Sequence, residues 1–364
     1  MCRMPTAARP EAVIVAGGFG TRMLPLTERR PKHLLEVGGV PFLEHQITTL
    51  ADAGVEHVVL ATSYHAELFA PVLGDGSRYG VRLTYVQEQE PLGTGGAIRN
   101  VAAALGPEPA HPVVVLNGDV LSGHDLRRQL ADFATPRAGR PVDVSLHLVE
   151  VADARAFGCV PTDETGRVLA FVEKSDHPVT TQVNAGCYVF RRSVIDSIPA
   201  GRVVSVERET FPGLVGSGAL VVGHVETAYW RDVGSPEALV AASRDLVLGQ
   251  APSAATPVPT GGALVADDAR VEGSVGEGTS VLAGAAVGRD AVVTGSVLMP
   301  GAVVGPAAEV RDSVLGPGAV VGAGARLVGV ALGDEARVGD GAVLSGLRVP
   351  CGEVVSPDAA AGET

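Results

Sequence analysis

The sequence contains very little lysine. Its 364 residues include 28 lysine and arginine residues, and only Lys32 and Lys174 are lysines. All the other residues in this count are arginines. The two positions that keep an ammonium group are therefore candidates for a specific task. Aromatic residues are also scarce at 4%, although the hydrophobic fraction is an ordinary 46%. Small aliphatic residues must therefore form most of the core.

Long apolar runs are missing as well. No stretch is long enough for a membrane-spanning helix or for the apolar part of a signal peptide. The four cysteines are scattered without a C-x-x-C pair, which argues against a zinc site and against a disulfide framework. We therefore expect a reduced, cytoplasmic protein with no membrane partner.

Positive charge is in deficit overall. The formal net charge of −13 argues against bulk nucleic-acid binding, because neutralising a phosphate backbone needs a basic surface. An anionic small substrate would need a local positive pocket, with a metal ion to assist it.

From Glu11 to about Gln250, β-branched runs alternate with helical segments. The predicted strands are AVIVAGG, HVVLATSY, VRLTYVQE, VVVLNGDV, VSLHLVEV, VLAFVEK and NAGCYVF. PFLEHQITTLADAG is predicted to be an amphipathic helix that ends at Gly54. This alternation predicts an α/β domain with a Rossmann-like, mostly parallel sheet.

The composition changes near the end of this region. No His, Lys, Phe, Tyr or Trp follows Trp230, and Val275, Val281, Val287 and Val293 are six residues apart. SVLMPGAVVG recurs as SVLGPGAVVG at an offset of seventeen residues. An aliphatic residue at every sixth position is typical of hexapeptide coils, so we expect a left-handed parallel β-helix. The regular spacing disfavours the alternative, a random Gly/Val-rich linker.

The predicted organisation has five parts. They are an N-terminal extension (1–10), the α/β domain (11–249), a Pro/Ala/Ser/Thr-rich linker (250–262), the β-helix (263–350) and a C-terminal tail (351–364). The coils contain no histidine, so they lack the base that an acyltransferase would use. Because the last coil has an open end, we expect the β-helix to form a homo-oligomer.

VIVAGGFGTRM joins a predicted strand to a glycine-rich turn. It lacks the third glycine of the dinucleotide fingerprint and the Gly-Lys-Ser/Thr of the P-loop. Glycines at a strand end still let backbone N–H groups approach phosphates closely. The longer pattern, G-G-x-G-T-R-M-x-P-L-T-x-x-x-P-K, resembles the signature of the sugar-1-phosphate nucleotidyltransferases. Further matches follow in order: EPLGTGGAI, LNGDV, AFGCVPTDE, FVEK, VNAGCYVF, SVERETFP and YWRDVGSP.

The whole set most resembles the mannose-1-phosphate guanylyltransferases. The resemblance implies attack by a sugar-phosphate oxygen on the α-phosphorus of a nucleoside triphosphate, with release of pyrophosphate. GTP and mannose 1-phosphate are the expected substrates. Two alternatives stay open: the same reaction with a heptose or cyclitol phosphate or another triphosphate, and a catalytically silent subunit that senses nucleotide sugars. Leu24 and His33 stand where the family usually has arginine and proline, which leaves the acceptor open.

The resemblance also implies roles for the catalytic side chains. Arg22 and Lys32 would hold the triphosphate and the departing pyrophosphate, and Lys174 would hold the phosphate of the sugar. A compact ammonium fits between several phosphate oxygens, where a planar guanidinium is too wide. Asp119 and Asp232 would bind Mg²⁺, which prefers oxygen ligands.

Other contacts follow from the resemblance by motif. The remaining nucleotide contacts would be Gly17, Gly18, Gly20, Thr21, Glu88, Gly93, Thr94, Asn117 and Gly118. The sugar contacts would be Gly158, Glu173 and Asn184. Glu88 matches a position that faces the base, and a carboxylate can accept both N1–H and N2–H₂ of guanine. Gln87, Gln89 and Glu90 are the alternatives if the register of this loop differs.

Overall fold

The computed structural model describes residues 9–172, 174 and 176–357. The chain divides into two compact units. The first comprises the chain up to Gly18 together with Gln46–Trp230, and the second comprises Phe19–His45 and the chain from Arg231 onward. The glycine-rich signature is thus shared between the two units.

The helices are α1 (Phe42–Asp52), α2 (Phe69–Leu73), α3 (Gly93–Asn100), α4 (Leu126–Ala134), α5 (Arg192–Ser197), α6 (Phe211–Gly216) and α7 (Pro236–Val247). The strands before the β-helix are β1 (Glu11–Ala16), β2 (Glu36–Val37), β3 (Val40–Pro41), β4 (His57–Thr62), β5 (Arg82–Gln87), β6 (Pro112–Asn117), β7 (Val120–Ser122), β8 (Val144–Glu150), β9 (Gln182–Arg191), β10 (Val221–Glu226) and β11 (Trp230–Asp232). Short 3₁₀ turns at Thr21–Met23 and Lys32–Leu34 carry part of the signature.

A seven-stranded sheet organises the first unit, with the order β10-β8-β9-β6-β1-β4-β5. Neighbouring strands are parallel except where β9 pairs antiparallel with β6 and β8. The mostly parallel sheet is therefore confirmed. The prediction of a strand at VLAFVEK is wrong, because the described part of this segment makes only isolated bridges, at Val168 and Val172. β10 was not predicted.

The core of the first unit lies against this sheet. Val13 and Val115 from adjacent strands are fully buried, as are Tyr188 and Phe190 from β9. Phe211 packs on both aromatic rings, at centroid distances of 5.0 and 5.8 Å. Three aromatic residues thus pack together at the centre, while valine fills most of the rest.

The predicted helix at PFLEHQITTLADAG is confirmed as α1. Gly54 ends it in the left-handed region, with φ +88°, and its N–H donates to the carbonyl of Ala51. Such a conformation favours glycine. Ile47 and Leu50 are fully buried, but His45 and Gln46 are buried too, so the helix is less one-sided than its apolar pattern predicted.

The β-helix of the second unit is confirmed as a stack of parallel coils. Its strands are β12 (Leu264–Val265), β13 (Arg270–Val271), β14 (Ser274–Val275), β15 (Ser280–Val281), β16 (Ala286–Val287), β17 (Val292–Thr294), β18 (Val297–Leu298), β19 (Val303–Val304), β20 (Glu309–Arg311), β21 (Val314–Leu315), β22 (Val320–Val321), β23 (Arg326–Val328), β24 (Ala331–Leu332), β25 (Arg337–Val338), β26 (Val343–Ser345), β27 (Arg348–Val349) and β28 (Val354–Val355). They form three sheets in which every third strand pairs. From β15 onward the predicted offset of seventeen residues is the pairing register, as in Val297 with Val314, whereas β12 to β14 pair at offsets of sixteen or eighteen residues. Buried Ala, Val and Leu side chains fill the interior.

The segment predicted as a linker makes specific contacts within the second unit. Ser253 Oγ lies 2.6 Å from His45 Nδ1, and Thr256 Oγ1 donates to the carbonyl of Gly38 at 3.0 Å. Coil strands continue to Val355. The domain boundaries themselves stay a prediction. Among the described residues, no helix is both long and apolar enough to cross a membrane.

Candidate active site

The carboxyl ends of three parallel strands meet at one edge of the sheet in the first unit. β1 ends beside β4 and β6, since Ala16 pairs with Thr62 and Val15 with Asn117. Ser63, which follows β4, accepts a hydrogen bond from Gly18 N–H at 3.1 Å. Ligands of open α/β sheets bind at this edge, so the predicted glycine turn lies where a nucleotide is expected.

Gly17 and Gly18 are glycines for different reasons. A Cβ on Gly17 would lie 3.2 Å from Ser63 Oγ and 3.8 Å from Glu88 Oε2, so a side chain would crowd this edge. Gly18 has φ +102°, which L side chains rarely adopt. The backbone conformation therefore requires glycine at Gly18, which is exposed with no atom within 4 Å of its ideal Cβ, whereas a side chain at Gly17 would need Ser63 Oγ to shift.

Glu88 is a buried carboxylate next to this turn. It is 8% exposed, and its Oε1 is buried with no hydrogen-bond partner among the described residues. Its Oε2 accepts only a long, 3.5 Å hydrogen bond from Leu92 N–H. Burial raises the pKa of this carboxyl above its usual value. The alternative positions Gln87, Gln89 and Glu90 are exposed, which favours the predicted register.

Gly93 and Thr94 begin α3 and contact the segment before α6. Gly93 has φ +71°, and a Cβ there would lie 2.7 Å from the carbonyl oxygen of Val204. Thr94 Oγ1 donates to Glu207 Oε2 at 2.9 Å and accepts from Val206 N–H at the same distance. The Thr94 hydroxyl thus anchors this helix start, and its role toward a nucleotide stays a prediction.

The turn that carries Asp119 is held by hydrogen bonds to its backbone groups. Gly118 N–H donates to the Val15 carbonyl at 3.0 Å. The amide nitrogen of Gln46 donates to the carbonyls of Asn117 and Val120, at 2.8 and 2.9 Å on either side of the aspartate. This half-buried carboxylate therefore occupies a braced position at the carboxyl end of β6.

Backbone pairing gathers the predicted sugar contacts. Cys159, which follows Gly158, bridges to both Val172 and Val183. Gly158 and Asn184 also share a 3.4 Å backbone hydrogen bond. Lys174 is exposed and lies two residues beyond the Val172 bridge. Glu173, predicted as a sugar contact, lies outside the described residues.

The side chain of Asn184 is already engaged. Its Nδ2 donates to Tyr188 Oη at 2.7 Å, and its Oδ1 accepts from Gly186 N–H at 3.1 Å. Trp230 contacts the residue next to Asn184, since its Nε1–H donates to the Ala185 carbonyl at 3.0 Å. The amide of Asn184 is therefore rigidly oriented by groups that the motif alone does not reveal.

In the second unit, Gly20 and Lys32 lie on facing parts of the signature loop. Gly20 has φ +60°, and a Cβ on it would lie 3.2 Å from Thr27 Cγ2 and 3.5 Å from Lys32 Cβ. Thr27 Oγ1 also donates to the Gly20 carbonyl at 2.9 Å. The loop is therefore folded back on itself. Thr21, which opens its first 3₁₀ turn, is exposed.

Arg22 and Asp232 flank Gly234. A Cβ at Gly234 would lie 2.7 Å from Arg22 Nη2 and 2.6 Å from Asp232 Oδ1, so only glycine lets both groups approach. Ser235 caps α7 by accepting from Ala238 N–H, and Pro236 is the first helical residue. Ser235 is therefore the N-cap of α7, and Asp232 does not serve in that role.

The two departures from the family pattern differ in burial. His33 is 1% exposed, so it belongs to the packing of its 3₁₀ turn. Leu24 is 39% exposed.

One further group offers possible metal ligands. His124, His147 and Glu226 place one nitrogen or oxygen each within 4.8 Å of one another. The rings of His124 and His147 are stacked, with centroids 3.9 Å apart and planes 14° apart. Imidazole lone pairs lie in the ring plane, so the nearly parallel rings do not point both lone pairs at one ion. Both nitrogens of His147 are buried with no hydrogen-bond partner among the described residues, and burial lowers its pKa to about 2.

Comparison with known sequences decides the family. Residues 11–247 match the nucleotidyl transferase family, and residues 262–346 match the GlmU-like C-terminal hexapeptide family. The chain is a member of the nucleotidyltransferase family.

Curated relatives of this nucleotidyltransferase cover most of its length. It is 52% identical over 282 residues to mannose-1-phosphate guanylyltransferase of Mycobacterium tuberculosis, covering 77% of this chain and 76% of the relative. It is 35% identical over 275 residues to mannose-1-phosphate guanylyltransferase 1 of Arabidopsis thaliana, covering 74% and 73%.

Solved structures share the fold. HddC from Yersinia pseudotuberculosis aligns with a TM-score of 0.56 and 29% identity, over 65% of this chain and 99% of that chain. A structure of the same protein complexed with GMP-PN aligns with the same TM-score, 28% identity and the same coverage.

Sequence reasoning missed several residues that shape these sites. Ser63 and Gln46 contact predicted site residues but lie outside the matched motifs, whereas Tyr188 and Gly234 lie within VNAGCYVF and YWRDVGSP but were given no role. Ser63 lies near the end of the predicted strand HVVLATSY, directly after the observed β4, and this position was the only available signal. The other three act through packing and backbone contacts that depend on tertiary structure.

Proposed function

We infer that this nucleotidyltransferase transfers the guanylyl group of GTP to mannose 1-phosphate. A phosphate oxygen of the sugar forms a bond to the α-phosphorus, the bond from that phosphorus to the β-phosphate oxygen breaks, and pyrophosphate leaves with GDP-mannose as the product. The observation that carries this inference is the 52% identity to the mycobacterial mannose-1-phosphate guanylyltransferase.

Guanine would be recognised by Glu88. A carboxylate accepts hydrogen bonds only, and guanine presents two adjacent donors, N1–H and N2–H₂. The buried Oε1 atom has no hydrogen-bond partner among the described residues, and Gly17, whose ideal Cβ would lie 3.8 Å from the other carboxylate oxygen, Oε2, adds no side chain beside this carboxylate. Uracil and thymine would bring carbonyl oxygens toward the carboxylate, and adenine has no proton on N1, so all three would bind poorly.

The triphosphate would be held by backbone and cationic groups. Gly18 follows the end of β1 and is exposed. It has no side chain that would keep a phosphate away from the backbone. Arg22 and Lys32 would neutralise the charge that develops as pyrophosphate departs. Their loop is folded by the Thr27 hydrogen bond, so these cations are pre-positioned and little reorganisation is needed during the reaction.

We assign Mg²⁺ to Asp119 and Asp232. Both side chains are half-buried carboxylates, and oxygen donors of this kind suit Mg²⁺. Each fits the role within its own unit: Asp119 stands in the turn braced by Gln46, and Asp232 stands beside Gly234. When bound, the ion would offset the negative charge of the triphosphate.

The sugar phosphate would be held by Lys174. It lies on the segment that pairs beside Gly158, and Asn184 with its fixed amide is close to the same glycine. We assign the sugar hydroxyl contacts to Gly158 and Asn184, together with Glu173.

The decisive assay is pyrophosphate release from GTP and mannose 1-phosphate in the presence of Mg²⁺. Turnover that needs all three components supports the proposal. Turnover only with a heptose or cyclitol phosphate would show that this compound, and not mannose 1-phosphate, is the acceptor. No turnover with any triphosphate and sugar phosphate would instead indicate a silent, nucleotide-sugar-sensing subunit.

We also propose a homo-oligomer assembled through the β-helix, and a cytoplasmic location. The support for assembly is the repeat architecture itself, because a stack of coils presents an open end that another copy can cover. Light scattering of the full chain measures the assembly state, and a monomer at micromolar concentration would contradict the proposal.

A further inference from the structure

A single arginine of the β-helix contacts the signature loop within the second unit. Arg348 stands at the start of β27. Its Nη1–H donates to the carbonyl oxygen of Arg22 at 2.8 Å and, more weakly, to that of Leu24 at 3.4 Å. Its Nη2 contacts both carboxylate oxygens of Glu237, at 3.1 and 3.2 Å. One guanidinium thus binds two separate segments of the chain.

Those two segments each carry a residue assigned to the reaction. The first is the 3₁₀ turn that contains Arg22. The second is the first turn of α7, where Glu237 follows the Ser235 cap and stands five residues after Asp232. The guanidinium of Arg22 and the carboxylate of Asp232 both approach Gly234. Arg348 therefore ties together the backbones that support these two side chains.

A second set of contacts holds the same loop nearer to Lys32. Arg30 makes a two-point pair with Asp334, at 3.0 and 2.5 Å, and Asp334 is only 4% exposed. Arg29 pairs with Glu335 at 3.0 Å. Because bidentate pairs of arginine and carboxylate restrict geometry as well as distance, the coil fixes both ends of the loop.

Exposed ion pairs contribute little to stability, and the side chains of Arg348 and Glu237 are 41% and 60% exposed. Stabilisation of the fold therefore does not explain the contacts that Arg348 makes. Its contact with backbone carbonyls has a different consequence, because it sets where the main chain of Arg22 lies. A displacement of about 1 Å in a reacting group can cost about 100-fold in rate.

We propose that Arg348 is a positioning residue for the transfer reaction, through which the last coils of the β-helix hold Arg22 in place for the triphosphate. This rests on the proposed role of Arg22. The β-helix thus takes part in the use of GTP in addition to any role in assembly.

The test compares Arg348→Ala with Arg337→Ala in the full-length protein. Arg337 is a matched control, since it also begins a two-residue Arg-Val strand and is exposed. We expect Arg348→Ala to lower kcat/KM for GTP by about 10- to 100-fold and to leave KM for mannose 1-phosphate nearly unchanged. Arg348→Lys should recover part of the loss, because an ammonium can still donate to the Arg22 carbonyl. Arg337→Ala should behave as the parent does.

A double-mutant cycle tests whether Arg348 acts through Arg22. If it does, adding Arg348→Ala to Arg22→Ala should cost much less than it costs in the parent. Additive losses would overturn the proposal, and so would a parent-like kcat/KM for GTP in Arg348→Ala. An equal loss toward both substrates with a lowered unfolding temperature would show a merely structural role and would also overturn it. GTP binding, measured by calorimetry, separates the two inferences: a parent that binds GTP but releases no pyrophosphate contradicts the proposed function. In that case weaker GTP binding by Arg348→Ala would still support the positioning role, and unchanged binding would overturn it.

Discussion

Replacing Glu88 by glutamine should remove most of the preference of the enzyme for GTP. The substitution keeps the size of the side chain but exchanges one acceptor oxygen for an NH₂ donor. Since Oε1 is buried and has no partner among the described residues, the parent side chain can accept from guanine without breaking an internal bond. In the variant, an NH₂ group facing a guanine donor would leave both groups unsatisfied.

The magnitude follows from the number of hydrogen bonds. A two-point pair between a side chain and a base contributes about 1–3 kcal/mol of discrimination, or about 10- to 100-fold. We therefore expect the ratio of kcat/KM for GTP to that for UTP or ATP to fall by about this factor in Glu88→Gln. Inosine triphosphate lacks the N2 amino group, so the parent should favour GTP over it and the variant should favour GTP much less.

The pH dependence provides a second readout. Burial raises the pKa of Glu88, so the carboxylate loses its charge at a higher pH than an exposed glutamate does. Because the ionised form accepts both guanine donors, kcat/KM for GTP should fall as the pH decreases through this raised pKa. The fall should be absent in Glu88→Gln, which has no titrating group at this position.

Glu90→Gln is the matched control, because Glu90 is an exposed acid in the same loop. It should keep the parent preference and the parent pH profile. If the parent prefers UTP, dTTP or ATP, the assignment of guanine as the preferred base is wrong. If Glu88→Gln keeps the full preference for GTP, the base is recognised elsewhere, and backbone groups near Gly93 become the leading candidates.

Three further predictions concern the metal, the lysines and a buried histidine. Asp119→Asn or Asp232→Asn should each lower kcat by about 100-fold, or about 3 kcal/mol; undiminished Mg²⁺-dependent rates in both would remove the metal assignment. Lys174→Arg should raise KM for mannose 1-phosphate more than KM for GTP, and Lys32→Arg should do the reverse, because a planar guanidinium does not fit an ammonium site. Parent-like kinetics in both variants would contradict this. In the folded protein, burial lowers the pKa of His147 to about 2, so its imidazole stays neutral at moderately acidic pH. In the unfolded chain the same imidazole binds a proton below about pH 6.5. Acid should therefore destabilise the fold. Between pH 7 and pH 5 this linkage removes about 2 kcal/mol from the free energy of unfolding, and His147→Leu should be spared that loss in urea titrations; equal losses in both proteins would refute it.

Local patterns in the sequence determined much of the architecture. A valine at every sixth position predicted the coils, because each hexapeptide must place one aliphatic side chain inside the β-helix. β-branched runs such as HVVLAT predicted strands β1, β4 and β6, whose six-residue lengths suit a buried parallel sheet. VLAFVEK failed because its β propensity was not matched by a full strand partner, and propensity alone does not make a strand.

The predicted site residues came from motifs, and the structure adds the physical setting of each within its unit. Glu88 was one of four polar candidates in its loop, and only the fold shows that it alone is buried. The Asn184 amide is oriented by Tyr188, which lies four residues away along β9. The motif contains this tyrosine but does not indicate its contact with Asn184.

The contact of Arg348 with the signature loop was decided by tertiary structure alone. The two segments are separated by more than three hundred residues along the chain. In the sequence, Arg348 and Arg337 look alike, since each precedes a valine in a hexapeptide. Periodicity determines that both arginines begin coil strands, because it depends only on near neighbours. Which of them meets the carbonyl of Arg22 depends on how the loop folds against a particular coil, and no local pattern contains that information.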